Sequence, residues 1–351
     1  MESKKKKSNI KCVVWDLDNT MWHGILSEHD NLVPRDNIKT IIDTLDRRGI
    51  IHSVASKNNH EDAMKMLETL GLHEYFLYPQ INWDNKSNSL KTIKEKLNMG
   101  YEAIAFIDDQ PFERDEVNFE HKEITCYDVD IIAGMLDMPE FKPKFITGES
   151  ALRRRMYLQD DMRNQEEKQI GNNKKFLESL EMEFIIAPAS VNDLQRVEEL
   201  TVRTNQLNAT GYTYSYEELE GFLASPNHRL FVAELIDKYG SYGKIGVVMV
   251  ECTDDTWTLK LLLMSCRVMS RGVGTVLLHY IINLAKENKK PLLAEFLPTD
   301  RNRLMNITYK FAGFTETGKL ENGGSLLRHP LTDFYEYPGY IRMKILQAEE
   351  I

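Results

Sequence analysis

The amino-acid sequence predicts an α/β protein of two domains, first a doubly wound parallel sheet and then a mixed α/β domain. Strand-like and helical segments alternate over roughly the first 145 residues, which is the pattern of a parallel sheet with helices on both faces. After the stretch FKPKFITGES, strand-like segments follow one another more directly. A length of 351 residues is sufficient for two such domains.

The elements of the first domain follow from hydrophobic periodicity. A short apolar run predicts a buried parallel strand, and apolar residues three or four positions apart predict a helix. The predicted strands are VVW (13–15), IIHSVAS (50–56) and AIAFI (103–107), and the predicted helices carry the apolar sets Ile38/Ile41/Ile42/Leu45, Ala63/Leu67/Leu70 and Leu90/Ile93/Leu97. Polar clusters follow these strands, so we expect one site at the carboxyl edge of the sheet.

The second domain is predicted from the same signals. Gly240, Gly243 and Asp254–Asp255 mark turns between neighbouring strands. The predicted strands are 181–189, 229–237, 243–252, 256–265 and 292–296, and the predicted helices lie within 192–207, 270–287 and 301–314. A highly charged helix, ALRRRMYLQDDMRNQEEKQI, precedes them. We therefore expect a first domain over residues 1–147, a charged helical connector over 148–180 and a second domain over 181–351.

Composition excludes several classes of function. The net charge of −10 argues against a general nucleic-acid-binding protein, because the phosphate backbone requires a basic face. No apolar run reaches the ~18 residues of a membrane span, and no signal peptide precedes the first strand. Four cysteines in a chain of this length form neither a disulfide framework nor a metal-binding spacing. We expect a cytoplasmic protein whose partners are neither nucleic acid nor membrane.

Two aspartates directly follow the first strand, in KCVVWDLDNT. Like charges this close raise each other's pKa unless a cation or a reaction requires them. Asp16 is predicted to attack phosphorus as a nucleophile and to form an aspartyl-phosphate. Asp18 is predicted to protonate the leaving oxygen and later to activate water.

The loops after the next strands carry predicted phosphate-binding residues. Ser56, with Lys57 and Asn58 of the same loop, is placed to hydrogen-bond a phosphoryl group. Lys86, in NWDNKSNSL, is placed to neutralise the charge of that group as a point cation.

The acidic residues also predict a magnesium site. Asp108 and Asp109 follow the strand AIAFI and would join Asp16 and Asp18 as ligands. Mg²⁺ prefers one or two carboxylates together with water and phosphate oxygens, and it offsets the repulsion between carboxylates. The alternative interpretation is that these strand-end aspartates only cap helices.

The spacing of the clusters predicts an open site. About 36 residues separate Thr20 from Ser56, and about 30 separate Ser56 from Lys86. A helix and a strand use up each interval, so no large cap domain is expected. An open site suits a macromolecular substrate, or closure by the second half of the chain.

The four motifs together resemble the haloacid-dehalogenase (HAD) phosphatase superfamily and, more narrowly, the FkbH-like proteins of polyketide assembly. The segments that carry the resemblance are VVWDLDNTMWHG, VASKNN, NWDNK and FIDDQPFER, with LTVRTNQLNAT and LLMSCRVMSRGVG in the second half. His23 stands where glycine is common, Ala55 where cysteine often precedes the serine, and Gln110 where asparagine is usual. None of these departures removes a phosphoryl-transfer group, but Ala55 excludes that position as a thiol nucleophile.

The second half resembles the GNAT acyltransferases in its order of strands and helices. A strand, the turn SRGVGT and a long amphipathic helix place Gly272 and Gly274 at a helix N-terminus, where free amides bind phosphate or pyrophosphate. Met269 stands where the family motif has Arg or Gln, which leaves coenzyme A binding open. The alternative is a glycine turn that only begins a helix.

Cys266 is the candidate nucleophile of the second half. It lies between the strand and the glycine turn, and Arg267 and Arg271 are close in sequence. Cations and a helix N-terminus favour the thiolate, whereas the alternative is a small buried residue that ends a strand. Asn205, Gln206 and Asn208 are candidate ligands of an acyl group or pantetheine, or else a polar helix end.

The FkbH-like resemblance implies a glyceryl transferase and phosphatase that acts on an acyl carrier protein. It implies 1,3-bisphosphoglycerate as the substrate, because the acyl phosphate reacts with a thiol and the 3-phosphate is a monoester. A basic patch at Arg153 to Arg155 is the candidate docking site for the acidic carrier. The alternatives are a plain Mg²⁺-dependent phosphatase and a scaffold that recruits carrier proteins.

Overall fold

The computed structural model describes residues 10–28 and 31–347 of the chain. The chain forms two compact units, Met1–Leu158 and Gln159–Ile351. The division falls inside the segment predicted as a connector, within the long helix Arg153–Ile170. None of the helices in the described ranges combines the length and the apolar character that crossing a bilayer requires.

The first unit is built on a five-stranded sheet in which all pairings are parallel. The strand order is β5–β4–β1–β6–β7, so connections run in both directions from the central strand β1. The strands of this unit, including a separate hairpin β2–β3, are β1 (Cys12–Trp15), β2 (Trp22–His23), β3 (Val33–Pro34), β4 (Ile51–Ser56), β5 (Gln80–Ile81), β6 (Ile104–Ile107) and β7 (Thr125–Tyr127). This is the doubly wound parallel sheet that the sequence predicts.

Helices cover both faces of this sheet. Strands β1, β4 and β6 are buried at every position, which matches their uninterrupted apolar runs. The helices are α1 (Ile38–Arg47), α2 (His60–Thr69), α3 (Lys86–Leu97), α4 (Pro111–Glu120) and α5 (Gly148–Ala151), followed by α6 (Arg153–Ile170). Among the described residues, a short hairpin and single helices connect the strands, so the predicted absence of a large cap is confirmed.

A buried histidine links the central strand to the first helix. Trp15 donates from Nε1 to His52 Nδ1 (3.1 Å), and His52 Nε2 lies 3.1 Å from the carbonyl oxygen of Ile42. These partners require a neutral ring with its proton on Nε2. Burial lowers the pKa of His52 from 6.5 to about 3, which keeps the ring neutral.

The second unit contains an eight-stranded mixed sheet in the order β13–β14–β12–β11–β10–β9–β8–β15. Strands β11 and β12 are parallel neighbours, and their antiparallel neighbours extend the sheet on either side. The strands are β8 (Met182–Pro188), β9 (His228–Asp237), β10 (Gly240–Cys252), β11 (Trp257–Met264), β12 (Leu292–Phe296), β13 (Thr315–Lys319), β14 (Ser325–His329) and β15 (Ile341–Ile345). The helices are α7 (Asn173–Ser179), α8 (Leu194–Arg203), α9 (Tyr216–Ala224), α10 (Val273–Glu287) and α11 (Arg303–Phe311).

Strands β11 and β12 pair only over their first three residues, Trp257–Leu259 with Leu292–Ala294. Beyond that point the segment 207–209 lies between them and supplies the missing hydrogen bonds. Met264 donates to Leu207 (2.9 Å), Ala209 donates to Leu262 (3.0 Å), and Leu297 donates to Ala209 (3.1 Å), all through backbone atoms. We call this segment the wedge.

The helix predicted over 192–207 is wrong in its last turn, and the wedge explains why. Helix α8 ends at Arg203, because the following residues leave the helix and pair with β11 instead. All five strands predicted in this unit are present at or near their expected bounds, as β8 to β12. Strands β13, β14 and β15 were not predicted. Strands β13 and β14 lack an alternating apolar pattern, and most residues of β13 are exposed. In β15, Ile341, Met343 and Ile345 alternate with basic residues, so the sequence carried a strand signal that the prediction missed.

We predict that His52 makes the stability of the protein depend on pH. Because its pKa is lowered on folding, the stabilisation is complete above pH 6.5 and is lost as the pH falls towards 3. The unfolding equilibrium constant should rise by up to about tenfold per pH unit in that window. The variant His52→Gln keeps an acceptor for Trp15 and a donor for Ile42 but cannot titrate.

Urea unfolding at several pH values, followed by tryptophan fluorescence, measures this dependence. The free energy of unfolding should fall more steeply with acidification in the wild type than in His52→Gln. Equal slopes for the two proteins would show that His52 does not carry the effect.

Candidate active site

The register of the parallel sheet brings the predicted residues of the first unit together. Trp15 pairs with Val54 on one side and with Ile107 on the other. The next residue on each strand therefore reaches the carboxyl edge at the same level. Those residues are Asp16, Ala55 and Asp108.

Lys86 joins these strand ends through its ammonium group. Its Nζ donates to Asp16 Oδ1, to the carbonyl oxygen of Ala55 (2.7 Å) and to Asp108 Oδ2 (3.2 Å), which uses all three of its donors. Only 3% of the Lys86 side chain is exposed. Burial disfavours the charged ammonium, but the Asp16 and Asp108 carboxylates outweigh this effect and raise the pKa of Lys86. The cation is thus held charged between two carboxylates.

Asp109 completes a cluster of three carboxylates. Ligand oxygens of Asp16, Asp108 and Asp109 lie within 4.8 Å of one another. The backbone N–H of Asp109 donates to Thr20 Oγ1 (3.2 Å), whereas its own Oδ1 is buried and has no hydrogen-bond partner in the described structure. A buried oxygen without a partner is costly, and a cation bound there would supply one. The three carboxylates therefore fit a divalent metal ion.

The pKa values of two acids reflect this crowding. Burial, followed by the charge of Asp16, raises the pKa of Asp108 from 3.8 to about 6, and Lys86 opposes the shift. Burial and Asp16 also raise the pKa of Asp109. Asp108 accepts a hydrogen bond from the Gln110 backbone N–H (2.8 Å) just before α4, so the helix-capping interpretation describes part of its role.

Asp18 lies next to this cluster in sequence but is not one of its three members. Its Oδ1 accepts hydrogen bonds from Trp22 Nε1 (2.9 Å) and from the Leu26 backbone N–H (3.1 Å), and its Oδ2 accepts from Asn58 Nδ2 (2.8 Å). The carboxylate is thus oriented by the β2 strand, the following turn and the loop after β4. This arrangement suits a group that exchanges protons better than a direct metal ligand.

The predicted phosphate-binding residues have different surroundings. Ser56 is buried at the end of β4, at the carboxyl edge of the sheet. Lys57 pairs with Glu113 at the start of α4, with 2.7 Å between Nζ and Oε1. Asn58 is buried and holds Asp18. In this arrangement, Lys57 and Asn58 would have to exchange these partners in order to contact a phosphoryl group.

The second unit contains a groove of about 210 Å³ beside the glycine turn. Its walls come from the end of β11, the turn before α10, the first turn of α10 and one face of α11. Gly272 and Gly274 line it together with Met264 and Val268. Gly272 has a φ of 77°, a left-handed conformation that favours glycine, and it directly precedes α10. The groove is mostly apolar and ends at a helix N-terminus.

Cys266 and Gln206 are brought together near this groove. The Cys266 sulfur lies 4.0 Å from Gln206 Oε1, and the residue is exposed. Desolvation of the sulfur raises the pKa of the thiol, and hydrogen bonds from the backbone amides of Gln206 and Leu207 lower it by less. The net direction is opposite to the thiolate that the sequence predicts.

The neighbouring arginines explain this difference. Arg271 is buried, stacks on the Phe176 ring (4.9 Å) and lies 3.6 Å from Glu167. Arg267 donates to the Tyr242 carbonyl oxygen (3.2 Å). Both guanidinium groups thus contact other elements of the unit rather than the sulfur, and Arg271 Nε and Nη1 are buried without a hydrogen-bond partner among the described residues.

The remaining predicted amides differ in exposure. Asn205 is exposed, whereas Asn208 is fully buried in the wedge. The Asn208 side chain accepts from the Thr210 and Gly211 backbone N–H groups (3.2 and 2.9 Å) and donates to the Tyr212 carbonyl oxygen (3.3 Å). The Asn208 side chain therefore stabilises the turn formed by residues 208–212.

The sequence analysis did not single out two buried polar residues near the groove. Asn302 donates from Nδ2 to the carbonyl oxygens of Asn208 (3.0 Å) and Leu297 (2.9 Å), so it fixes the wedge. Tyr309 on α11 is fully buried, and its hydroxyl has no hydrogen-bond partner among the described residues.

Several solved structures are similar to parts of this chain. The N-terminal part of BF1531 from Bacteroides fragilis, which contains a phosphatase domain complexed with Mg, is 31% identical over 35% of this chain and 36% of its own (TM-score 0.31). The ribosomal-protein-S18-alanine N-acetyltransferase from Escherichia coli is 15% identical over 44% of this chain and 98% of its own (TM-score 0.34). The PaiA N-acetyltransferase from Thermoplasma acidophilum, in complex with coenzyme A, is 15% identical over 42% and 98% (TM-score 0.35).

No family model and no curated protein matches this chain. This chain spans about a third of the BF1531 structure. The strand orders of the two sheets confirm the predicted fold class. The first unit has a HAD-like doubly wound parallel sheet without a large cap, and the second has a GNAT-like mixed α/β fold.

We predict that Asp109→Asn weakens Mg²⁺ binding without destabilising the protein in the absence of metal. The Asp109 Oδ1 atom has no hydrogen-bond partner that the substitution could remove. Replacing Asp16 would instead deprive the buried Lys86 ammonium of one of its two carboxylate partners. Isothermal titration calorimetry gives the affinity, and thermal unfolding without Mg²⁺ gives the stability. Asp84→Asn, an exposed acid in the loop before α3, is the matched control. Unchanged Mg²⁺ affinity in Asp109→Asn would exclude this residue as a ligand.

We also predict that Mg²⁺ binding depends on pH. Because the raised pKa of Asp108 is about 6, a proton competes with the metal below that value. The affinity for Mg²⁺ should therefore fall as the pH is lowered through 6, and binding near pH 6 should release protons. Calorimetry in two buffers of different ionisation enthalpy measures the release, and a pH-independent affinity between 5 and 7 (about one unit either side of that pKa) would contradict this prediction.

Proposed function

We propose that the protein is a glyceryl transferase and phosphatase that loads an acyl carrier protein from 1,3-bisphosphoglycerate. The observation that carries the phosphoryl half is the cluster of Asp16, Asp108 and Asp109 around the buried ammonium of Lys86. The acyl half is supported by Cys266 beside an apolar groove that ends at a helix N-terminus. The resemblance to FkbH-like proteins joins the two halves in one reaction.

In the phosphoryl half, Asp16 attacks the phosphorus of the 3-phosphate ester. The bond between phosphorus and the ester oxygen breaks, and Asp18 gives its proton to that oxygen. Water then attacks the aspartyl-phosphate while Asp18 takes back a proton, which releases phosphate and restores Asp16. Lys86 holds the nucleophile in place through Asp16 Oδ1.

Mg²⁺ is the proposed cofactor, with Asp16, Asp108 and Asp109 as its ligands. When bound, it would neutralise the charge between the anionic phosphate and the carboxylates and orient the phosphoryl oxygens. The unpaired Asp109 Oδ1 supports this assignment, as does the chemistry of three clustered oxygen donors.

In the acyl half, a thiolate attacks the acyl carbon of 1,3-bisphosphoglycerate and phosphate leaves. The thiol is that of Cys266 or of the carrier's own pantetheine arm. The first route requires a further transfer from Cys266 to the carrier. Because the raised pKa of Cys266 leaves little thiolate near neutral pH, this residue has no advantage in activation over the carrier's own thiol.

The second candidate function is a plain Mg²⁺-dependent phosphatase that acts on a small metabolite or a phosphoprotein. It is favoured by the cluster of three carboxylates beside Lys86 and by the contacts of both arginines away from Cys266. In that case the second unit would be a binding module.

Measuring the mass of the carrier protein after the reaction distinguishes the transferase from the plain phosphatase. We expect that purified protein, Mg²⁺, 1,3-bisphosphoglycerate generated in situ and phosphopantetheinylated carrier give a gain that matches glyceryl. Asp16→Asn should instead leave a phosphoglyceryl adduct, because only the ester hydrolysis is lost. Both masses are read from intact carrier by mass spectrometry.

Cys266→Ser decides between the two acyl routes. An abolished loading rate would assign the acyl group to the enzyme thiol, and an unaltered rate would assign direct attack by the carrier. The plain phosphatase would be the better proposal if two results are found together. No carrier gains mass, and the protein releases phosphate from simple monoesters in a reaction that Asp16→Asn abolishes.

A further inference from the structure

Helix α11 presents three large apolar side chains to solvent. Leu304 and Ile307 are each 38% exposed, and Phe311 is 87% exposed. Their spacing of three and then four residues places them within about 60° of the helix circumference. An apolar stripe of this kind is unusual on a free surface and marks a place of contact with another molecule.

Basic residues flank this stripe on one side. Arg303 and Lys310 are both exposed, and their spacing of seven residues aligns them along the helix. Arg301, just before the helix, is also exposed and lies 3.7 Å from Asp300. We call Leu304, Ile307 and Phe311, with Arg303 and Lys310, the α11 face.

The opposite edge of the stripe leads directly into the groove of the second unit. Leu304 belongs to both, since it lines the groove together with Met305 and Thr308 of the same helix. A molecule seated on the α11 face would therefore reach the groove without crossing another element of this unit.

We propose that the α11 face docks an acidic acyl carrier protein, whose phosphopantetheine arm then enters the adjacent groove. This inference rests on the proposed function and adds the surface on which its partner is recognised. The apolar stripe fits an apolar helix face of the carrier, and the basic flank fits its acidic residues.

Charge favours this face over the patch predicted at Arg153 to Arg155. The chain carries a net charge of −10, so an acidic carrier needs a local basic surface. The patch predicted at Arg153 to Arg155 is largely engaged within the first unit. Arg154 donates to Asp46 and to the Glu74 carbonyl oxygen, and Arg153 donates to the Gly49 carbonyl oxygen.

Two variants test the docking surface. Phe311→Ala removes most of the exposed apolar area, and the double variant Arg303→Glu/Lys310→Glu reverses the charge. Each should raise the Kd for fluorescently labelled phosphopantetheinylated carrier, and the KM of loading, by about tenfold or more, with little change in kcat. Loading of free pantetheine, which has no protein to dock, should be unchanged. Phe334→Ala and the double variant Lys174→Glu/Lys175→Glu, which changes the net charge equally, are the matched controls at exposed positions of the same unit.

The measurements separate this inference from the proposed function. Unchanged Kd and KM in both variants, with normal loading by the wild type, would overturn the docking surface and leave the function standing. If the wild type binds the carrier but loads neither carrier nor pantetheine, and Phe311→Ala weakens that binding, the docking surface stands and the proposed function is overturned. A wild type that binds no acidic carrier would overturn the docking surface.

Discussion

The ammonium group of Lys86 holds together the part of the first unit on which its chemistry depends. It contacts Asp16, Asp108 and the carbonyl oxygen of Ala55, so a single side chain joins the ends of β1, β6 and β4. A cation at the first position of α3 opposes the helix dipole, and burial adds a further cost. Both costs are offset because two buried carboxylates would otherwise face each other without compensation.

The two units place their candidate sites by different means. In the first, strand register alone aligns Asp16 with Asp108, and the loops add residues around them. In the second, parallel strands diverge and the chain itself fills the space between them, with Asn302 fixing the filling segment. The first arrangement gives a compact polar cluster, and the second gives an apolar groove bounded by backbone that is already hydrogen-bonded.

These two ways of forming a site also differ in how much of each could be predicted from the sequence. Asp16 and Asp108 directly follow apolar strands, so their meeting at one sheet edge was predictable from periodicity. Lys86 begins α3 after the two-residue strand β5, which has no such apolar run, so its place at that edge was inferred from its motif. The surroundings of Asp18, the pairing of Lys57 with Glu113 and the engagement of Arg271 depend on side chains distant in sequence, which no local pattern encodes. The predicted helix was extended to Leu207, the first residue of the wedge, whereas α8 ends at Arg203 and Leu207 pairs with β11 instead.

The wedge has a consequence for how the second unit folds. Its hydrogen bonds join residues near 208, 263 and 297, three regions that lie far apart along the chain. The wedge meets β11 only after one long loop has closed and meets Leu297 only after a second, longer loop has closed, and such non-local pairing slows folding. The central sheet is therefore expected to complete late, after β9, β10 and β11 have formed their antiparallel ladder from nearby residues. During synthesis, the wedge precedes β11 and can cover the end of that strand, whereas the first residues of β11 stay unpaired on that edge until β12 emerges, which is a period of exposure to aggregation.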